Sequence, residues 1–344
     1  MGGETKNEEE NNAILRVWVD GCFDMGHFGH VNLLRQAKNV EIIPGKKNYL
    51  VVGVHSDEEI LKHKRLPIFT QEERIEMVKS CKFVDEVVSD APYITTVDTL
   101  KKHKCEFTIH GNDISISATG TDTYAQVKSE HMYHEVDRTL GISTTELIKR
   151  VLNDKNGSRG YTKGKSVNMK YFENLINEIK NEVVPSQMIG DFSHIVYCEG
   201  SFDLYHPGHV KFLKNAKMRG TYLIVKIYDD QTVRKVMGPE FPIMKLHERI
   251  LTVLGSKFID ELRIGGEINK IPHEIQEKYK NIEFYEGLQE IEQENAISLQ
   301  IRPSTYEIRQ RINDRRSELM SMNAKKEAKE EELAVTLMSG VKIQ

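Results

Sequence analysis

The stretch DGCFDMGHFGH, Asp20 to His30, returns near the middle of the chain as EGSFDLYHPGH, Glu199 to His209. Extending both copies, GCFDMGHFGHVNLLRQAK (Gly21 to Lys38) over GSFDLYHPGHVKFLKNAK (Gly200 to Lys217), gives ten identities without a gap. A second block pairs YLVVGVHSD from Tyr49 with YLIVKIYDD from Tyr222. A third pairs PIFTQEER and KFVDEVV with PIMKLHER and KFIDELR. Three blocks in one order make the chain a tandem duplication, and such a repeat decides the fold before local propensity does.

Each copy opens on a short β-rich run, AILRVWVDG or HIVYCEG, and passes through the histidine motif into a helical pattern. Its apolar positions are Val31, Leu34 and Ala37, or Val210, Leu213 and Ala216. A buried-looking strand follows, then a charged helix around Glu73-Arg74 or Glu248-Arg249, then another short apolar run. This is the alternation of βαβ units, which predicts an α/β fold with a parallel sheet flanked by helices in each copy. The expected divisions are a first domain at 13–152, a linker at 153–190 and a second domain at 191–320. A charged C-terminal helix or tail fills 321–344.

A length of 344 residues accommodates two such cores, and 39% apolar with 29% charged residues describes a soluble globular protein. A net charge of −4 argues against a general nucleic-acid binder, leaving room for a local basic pocket. No apolar run approaches the roughly 20 residues of a membrane-spanning helix. The opening MGGETKNEEENN is acidic and polar, so it reads as no secretory signal. Lys6 stands where a myristoylation motif needs Ser or Thr. Cys22, Cys81, Cys105 and Cys198 show neither metal-ligand nor redox spacing, and are expected as reduced thiols of a cytoplasmic protein.

In GHFGH two imidazoles stand three apart across Gly29, after a strand and at the opening of a helix. Free N–H groups at a helix start bind anions, imidazoles add donors, and glycine lets a phosphate approach the backbone. A metal site is the rival reading, but the spacing is not the i, i+4 of zinc helices and no third ligand is evident. Structural histidines are the other rival, weakened by the second copy. In RTLGISTTELIKRVL, Arg138 to Leu152, Ser143 and Glu146 fit a capping box, while Leu147, Ile148, Val151 and Leu152 form an apolar face. Arg138, Ser143, Thr144 and Thr145 around that helix start make a second polyanion seat.

GHFGH and RTLGISTT resemble the HxGH and RTxGIST signatures of the cytidylyltransferase family, a branch of the HxGH nucleotidyltransferases. The resemblance covers most of Ala13 to Leu152 and part of the second copy. It implies two tandem Rossmann-like domains, the first of them catalytic, and transfer of CMP from CTP to an acceptor phosphate with release of pyrophosphate. It also implies Mg2+ arriving with CTP. By the family motifs His27, His30 and Lys64 are catalytic. Cys22, Phe23, His110, Gly111, Asn112, Asp113, Arg138 and Ser143 to Thr145 complete the nucleotide site, and Asp20, Tyr93 and Tyr124 take the acceptor. Tyr93 stands where choline-using relatives have Trp, and Ile116 where they have Tyr. A quaternary ammonium favours an aromatic cage, whereas a primary ammonium can hydrogen-bond a carboxylate. The thinner cage and the duplication resemble the branch that uses phosphoethanolamine.

The second copy keeps His206 and His209, read as vestigial. Met237 falls opposite Lys64, no counterpart of HGND follows KFIDELRIGG, Glu199 replaces Asp20, and SLQIRPSTYEIRQRI keeps only Ser304-Thr305. Loss of one charge donor alone costs a phosphate-transfer site about 10²–10³ in rate. The expectation is one working site and a structural or regulatory partner, packed as a pseudo-dimer within one chain. The alternatives are a choline-phosphate enzyme of the same family, a class I tRNA synthetase lacking its KMSKS-like loop, and a non-catalytic nucleotide-binding scaffold.

Overall fold

The computed structural model describes residues 13–113, 115–117, 120–153, 169–181, 194–286 and 302–325. The first copy runs β1 (Ile14–Gly21), α1 (Phe28–Asn39), β2 (Lys47–His55), α2 (Asp57–His63), α3 (Gln71–Lys79) and β3 (Glu86–Ala91). It continues with α4 (Val97–Lys102), β4 (Phe107–Gly111), α5 (Ala125–Ser129), β5 (Tyr133–Val136) and α6 (Thr144–Asn153). After α7 (Met169–Asn181) the second copy runs β6 (Ile195–Gly200), α8 (Pro207–Met218), β7 (Tyr222–Ile227) and α9 (Asp230–Met237). Then come α10 (Leu246–Leu254), β8 (Glu261–Ile264), α11 (His273–Lys278), β9 (Ile282–Phe284) and α12 (Thr305–Asp314).

Both sheets are parallel throughout, with strand order β3-β2-β1-β4-β5 in the first and β8-β7-β6-β9 in the second. The order reverses beside β1 and beside β6, and in open α/β sheets ligands bind at such a switch point, outside the carboxyl ends of the strands. The histidine motif follows β1 directly at that end. Strands covered on both faces lose their alternation, and Trp18, Val19, Leu50, Val51, Val52 and Val54 are all fully buried.

Two side chains sit where the sequence pattern does not announce them. The helix around Glu73-Arg74 keeps Glu72, Glu76 and Lys79 exposed but turns one charge inward. Arg74 and its counterpart Arg249 are fully buried. Arg74 donates to the Cys22 carbonyl at 2.7 Å, the His55 carbonyl at 2.8 Å and the Asp57 carboxylate at 2.6 Å. Arg249 does the same for Ser201, Tyr228 and Asp230 at 2.7, 2.8 and 2.7 Å. Each ties the loop after the first strand to the end of the second. Val31, one of the apolar positions of the first helical pattern, is half-buried and faces the other copy: a Cβ added at Gly255 would stand 2.6 Å from its Cγ1.

The segment read as a linker contains α7, whose Phe172, Leu175 and Ile179 are buried and whose Phe172 packs edge-on against Phe28. Residues 154–168 and 182–190, also assigned to that linker, lie outside the described residues. So do residues 298–301 of SLQIRPSTYEIRQRI and 326–344 of the expected tail. Residues 316–325 are helical and bury Leu319.

The copies meet through equivalent residues. Lys82 N–H donates to the Gly255 carbonyl at 2.8 Å, and Lys257 N–H returns the bond to Ser80 at 2.9 Å, around an antiparallel Cys81–Ser256 bridge. Arg150 grips Glu248 with two hydrogen bonds of 2.7 and 2.9 Å, and Arg311 grips Glu73 with two of 2.6 and 2.9 Å. Each arginine also reaches one carbonyl across the boundary, Ile243 or Ile68, at 3.3 Å.

Candidate active site

The loop between β1 and α1 is held from below. The Asp24 carboxylate accepts the backbone N–H groups of Ile68 at 3.0 Å and Phe69 at 2.9 Å, with Arg65 at 3.4 Å. These anchors keep Phe23 (φ 54°) and Met25 (φ 53°) in the left-handed region, where a side chain is strained. Phe202 (φ 52°) and Leu204 (φ 44°) repeat it above Asp203, so the loop shape is built in twice.

The loop delivers His27 as the N-cap of α1, in extended conformation, and His30 in the first turn. The rings stack at 3.8 Å between centroids, with Phe23 edge-on to His30 at 5.4 Å. Phe23 itself is buried and serves to seat that ring. Burial pushes the His27 pKa well below the usual imidazole range, helped by the neighbouring His30, and it pushes His30 down to about 4. Both rings are therefore neutral at pH 7. Their Nδ1 atoms are buried without a hydrogen-bond partner among the described residues. Cys22 is half-buried, and burial drives its thiol up to about 12, so it is no nucleophile.

Asp20, at the end of β1, lies 4% exposed. Its carboxylate accepts from Trp18 Nε1 at 3.0 Å, from the Thr95 hydroxyl and from the Tyr124 hydroxyl. Burial, and then the Asp20 charge, hold the Tyr124 phenol protonated as a donor. All three donors are neutral, and no ion pair joins Asp20 among the described residues. His55 stands beside it, its pKa lowered by burial, with Nδ1 at 3.1 Å from the Ala91 carbonyl and its ring 5.3 Å from Tyr93. Tyr93 is buried with an unpartnered hydroxyl and stacks on His63 at 4.0 Å. Ile116 is held in a short bridge to Asp122, outside this ring cluster.

Lys64 caps the C-terminus of α2, exposed, with Nζ 5.5 Å from the centre of the Tyr93 ring. That places an ammonium beside the stacked Tyr93 and His63 rings. His110 and Gly111 end β4, and His110 lies 4.7 Å from Tyr124. Asn112 accepts from the Arg138 N–H at 3.1 Å, while the Arg138 guanidinium stands 3.7 Å from Asp113. Ser143 Oγ accepts from the Glu146 N–H at 3.1 Å, and the Thr144 hydroxyl donates to the Asp24 carbonyl at 2.8 Å. The α6 start is thus pinned to the histidine loop, leaving Thr145 next in the same turn. Trp18, His55, His63 and Thr95 were absent from the sequence reading. Trp18 was within reach of it, because residues i and i+2 of a strand share a face and Asp20 had been singled out.

A match to the Cytidylyltransferase-like family covers residues 18–150 and 197–281. The ethanolamine-phosphate cytidylyltransferase of Mus musculus is 40% identical over 291 residues, which is 74% of this chain and 70% of that protein. The enzyme of the same description from Dictyostelium discoideum is 36% identical over 353 residues, covering 93% of this chain and 96% of its own. Choline-phosphate cytidylyltransferase A of Rattus norvegicus is 39% identical over 173 residues, 48% of this chain and 44% of its own. With both copies matched and likeness running nearly end to end, the chain belongs to the cytidylyltransferase-like family and groups there with the ethanolamine-phosphate cytidylyltransferases.

Proposed function

We infer that residues 13–152 transfer CMP from CTP to phosphoethanolamine, giving CDP-ethanolamine and pyrophosphate. Asp20 carries this reading: a buried carboxylate that is hydrogen-bonded only by neutral donors lacks a cation. Leaving such a charge uncompensated is costly, and a substrate ammonium supplies what is missing. A primary ammonium brings N–H donors to the carboxylate; a trimethylated one brings none.

An acceptor phosphate oxygen attacks the CTP α-phosphorus, the new P–O bond forms, and the bond to the leaving pyrophosphate breaks. Catalysis rests on alignment and charge neutralisation. His27 and His30, neutral at pH 7, donate N–H bonds to the triphosphate beside the free amides of α1. Lys64 bridges the acceptor pocket and the reacting phosphates. Arg138 and the first turn of α6 receive the pyrophosphate. The Thr144 O–H is already donated to the Asp24 carbonyl, so the helix amides and the Ser143 O–H, whose oxygen accepts from the Glu146 N–H, do that work. His110 to Asp113 lie toward the nucleoside. No three His, Cys, Asp or Glu side chains converge to hold a metal among the described residues, and Asp24 is taken up by backbone amides. Resident metal does not fit; Mg2+ comes as part of the CTP substrate.

Residues 191–320 serve as a non-catalytic companion, and the reciprocal contacts support an internal pseudo-dimer. No helix among the described residues is long and apolar enough to cross a membrane. Four unpaired cysteines, three of them buried, support a cytoplasmic setting. The test is CTP-dependent pyrophosphate release with phosphoethanolamine, phosphocholine and glycerol 3-phosphate. Phosphoethanolamine should turn over at least tenfold faster than either. Equal or faster use of phosphocholine overturns the acceptor assignment.

A further inference from the structure

The two sheets carry the same acidic position with different neighbours. In the first, Asp20 pairs in register with Gly53 across β1 and β2. In the second, Glu199 pairs in the same register with Lys226 across β6 and β7. The residues flanking this pair correspond too: Trp18 and His55 in the first copy, Tyr197 and Tyr228 in the second. No side chain fits at Gly53, where an added Cβ would stand 2.4 Å from the Trp18 ring. Tyr197, smaller than Trp18, leaves that space to a lysine.

Lys226 is 1% exposed, an extreme rarity for lysine unless it is paired. Its ammonium lies 2.5 Å from Glu199 Oε2, an electrostatic contact rather than an aligned hydrogen bond, and donates to the Glu267 carbonyl. The Tyr197 and Tyr228 rings stand 6.0 and 5.8 Å away. Glu199 also accepts from the Tyr228 hydroxyl at 2.9 Å and from the Asn269 N–H. A primary ammonium on a buried carboxylate between aromatic rings is the chemistry that Asp20 asks of its ligand.

The phosphate side differs in the same direction. At Gly29 the nearest neighbours of an added Cβ are side chains, the His27 ring at 2.9 Å and the Ile142 methyl at 3.3 Å. At Gly208 it would stand 2.3 Å from the Pro303 carbonyl oxygen. His206 Nε2 is 3.2 Å from the Thr305 hydroxyl, and His206 and His209 are 2% and 1% exposed.

We propose that the second copy is self-liganded: the Lys226 ammonium occupies its acceptor headgroup seat and the Pro303 carbonyl covers its phosphate cradle. The second copy is thereby closed to acceptor, and Lys226 is an internal stand-in for a small primary ammonium. The assignment rests on the acceptor reading of Asp20, but its test needs no turnover.

In the full chain, Lys226→Ala leaves a cavity shaped for n-propylammonium beside a buried carboxylate. Its melting temperature should fall by several degrees and recover in n-propylammonium chloride. Equal concentrations of sodium or tetramethylammonium chloride should not restore it. The neutral pair Lys226→Met with Glu199→Gln should melt close to the unchanged protein and ignore the amine. If Lys226→Ala does not fold alone, refolding in n-propylammonium should recover soluble protein. Absence of amine-specific recovery in both formats overturns the proposal. On the unchanged protein, equilibrium dialysis should find one phosphoethanolamine per chain, and two per chain would also overturn it. Failure of turnover with phosphoethanolamine would instead strike the acceptor reading, and leave the amine-rescue result standing.

Discussion

Arg150→Met and Arg311→Met remove equivalent guanidiniums from the two sides of the boundary, yet they should not weigh the same. Glu248, the partner of Arg150, is 2% exposed and Arg150 is 12% exposed. Glu73 and Arg311 are 15% and 35% exposed. Burial opposes the charge on Arg150, but the two bonds from Glu248 outweigh it and raise its pKa. Without Arg150, Glu248 keeps, among the described residues, only the Lys245 amide at 2.8 Å, a buried carboxylate without its cation. Breaking a buried pair in this way costs about 3–5 kcal/mol. For the half-open Arg311 pair, solvent relieves much of that, leaving about 1–2 kcal/mol. With an m-value of roughly 3 kcal/mol/M in urea, the midpoint moves by about 1–1.7 M for Arg150→Met and by about 0.3–0.7 M for Arg311→Met. The assay is urea unfolding followed by circular dichroism and by Trp18, the single tryptophan, buried in the first sheet. Coincidence of the two probes tests whether the copies unfold together. Arg150 also lies on α6, whose start carries Ser143, Thr144 and Thr145, so its loss should lower turnover as well. A larger shift for Arg311→Met, or shifts within about 0.2 M for both, would refute the burial argument.

Lys64→Ala should cut turnover by ~10²-fold or more while the melting temperature stays within a degree or two, because the side chain is exposed; retention of over a tenth of the rate would exclude its role. Stability should fall on acidification below about pH 6.5 because burial depresses all four motif histidines, His209 to about 3. The unfolded chain then binds protons that the folded one refuses, which costs about 2 kcal/mol per histidine between pH 6.5 and 5. Urea midpoints at pH 7.5, 6 and 5 check this, and His209→Gln should flatten the slope; a flat profile in the unchanged protein contradicts it. Residues 1–152 expressed alone should aggregate or self-dimerise, since Val31, Glu73 and the Ser80–Lys82 edge lose their partners; a monomeric, fully active fragment in size-exclusion chromatography would contradict the pseudo-dimer. Met237→Lys should restore no second activity, because α9 buries that position and the HGND and RTLGISTT counterparts are missing.

What the sequence made legible was whatever the duplication wrote twice. The helix start at His27 and the parallel order of β1, β2 and β3 follow from runs that align residue by residue. The seating of Arg74 did not, because a charged residue in a charged stretch gives no sign of turning inward. Its acceptors, Cys22, His55 and Asp57, converge only after the chain has crossed over twice. Helix α7 was hidden by the polar, Gly-rich run before it, although Phe172, Leu175 and Ile179 stand at helical spacing. The cluster around Asp20 was half legible. Asp20 and Tyr124 carried family positions, whereas Thr95 lies on a loop with no pattern of its own and His63 ends the short, charged α2. The Gly53-to-Lys226 exchange was in plain view between YLVVGVHSD and YLIVKIYDD. Only the strand register gives it meaning, by setting each residue opposite an acid.

The claim that one copy works and the other is closed is tested most directly by His30→Ala and His206→Ala. Each variant is assayed for CTP-dependent pyrophosphate release with phosphoethanolamine, with melting temperature measured in parallel. The stacked, half-buried His30 faces the open cradle, so its loss should reduce the rate ~10²-fold or more. His206 faces Thr305 within its own copy, so its loss should leave the rate within a few-fold of the unchanged protein. If His206→Ala removed activity as completely as His30→Ala at unchanged stability, the second copy would be a working site.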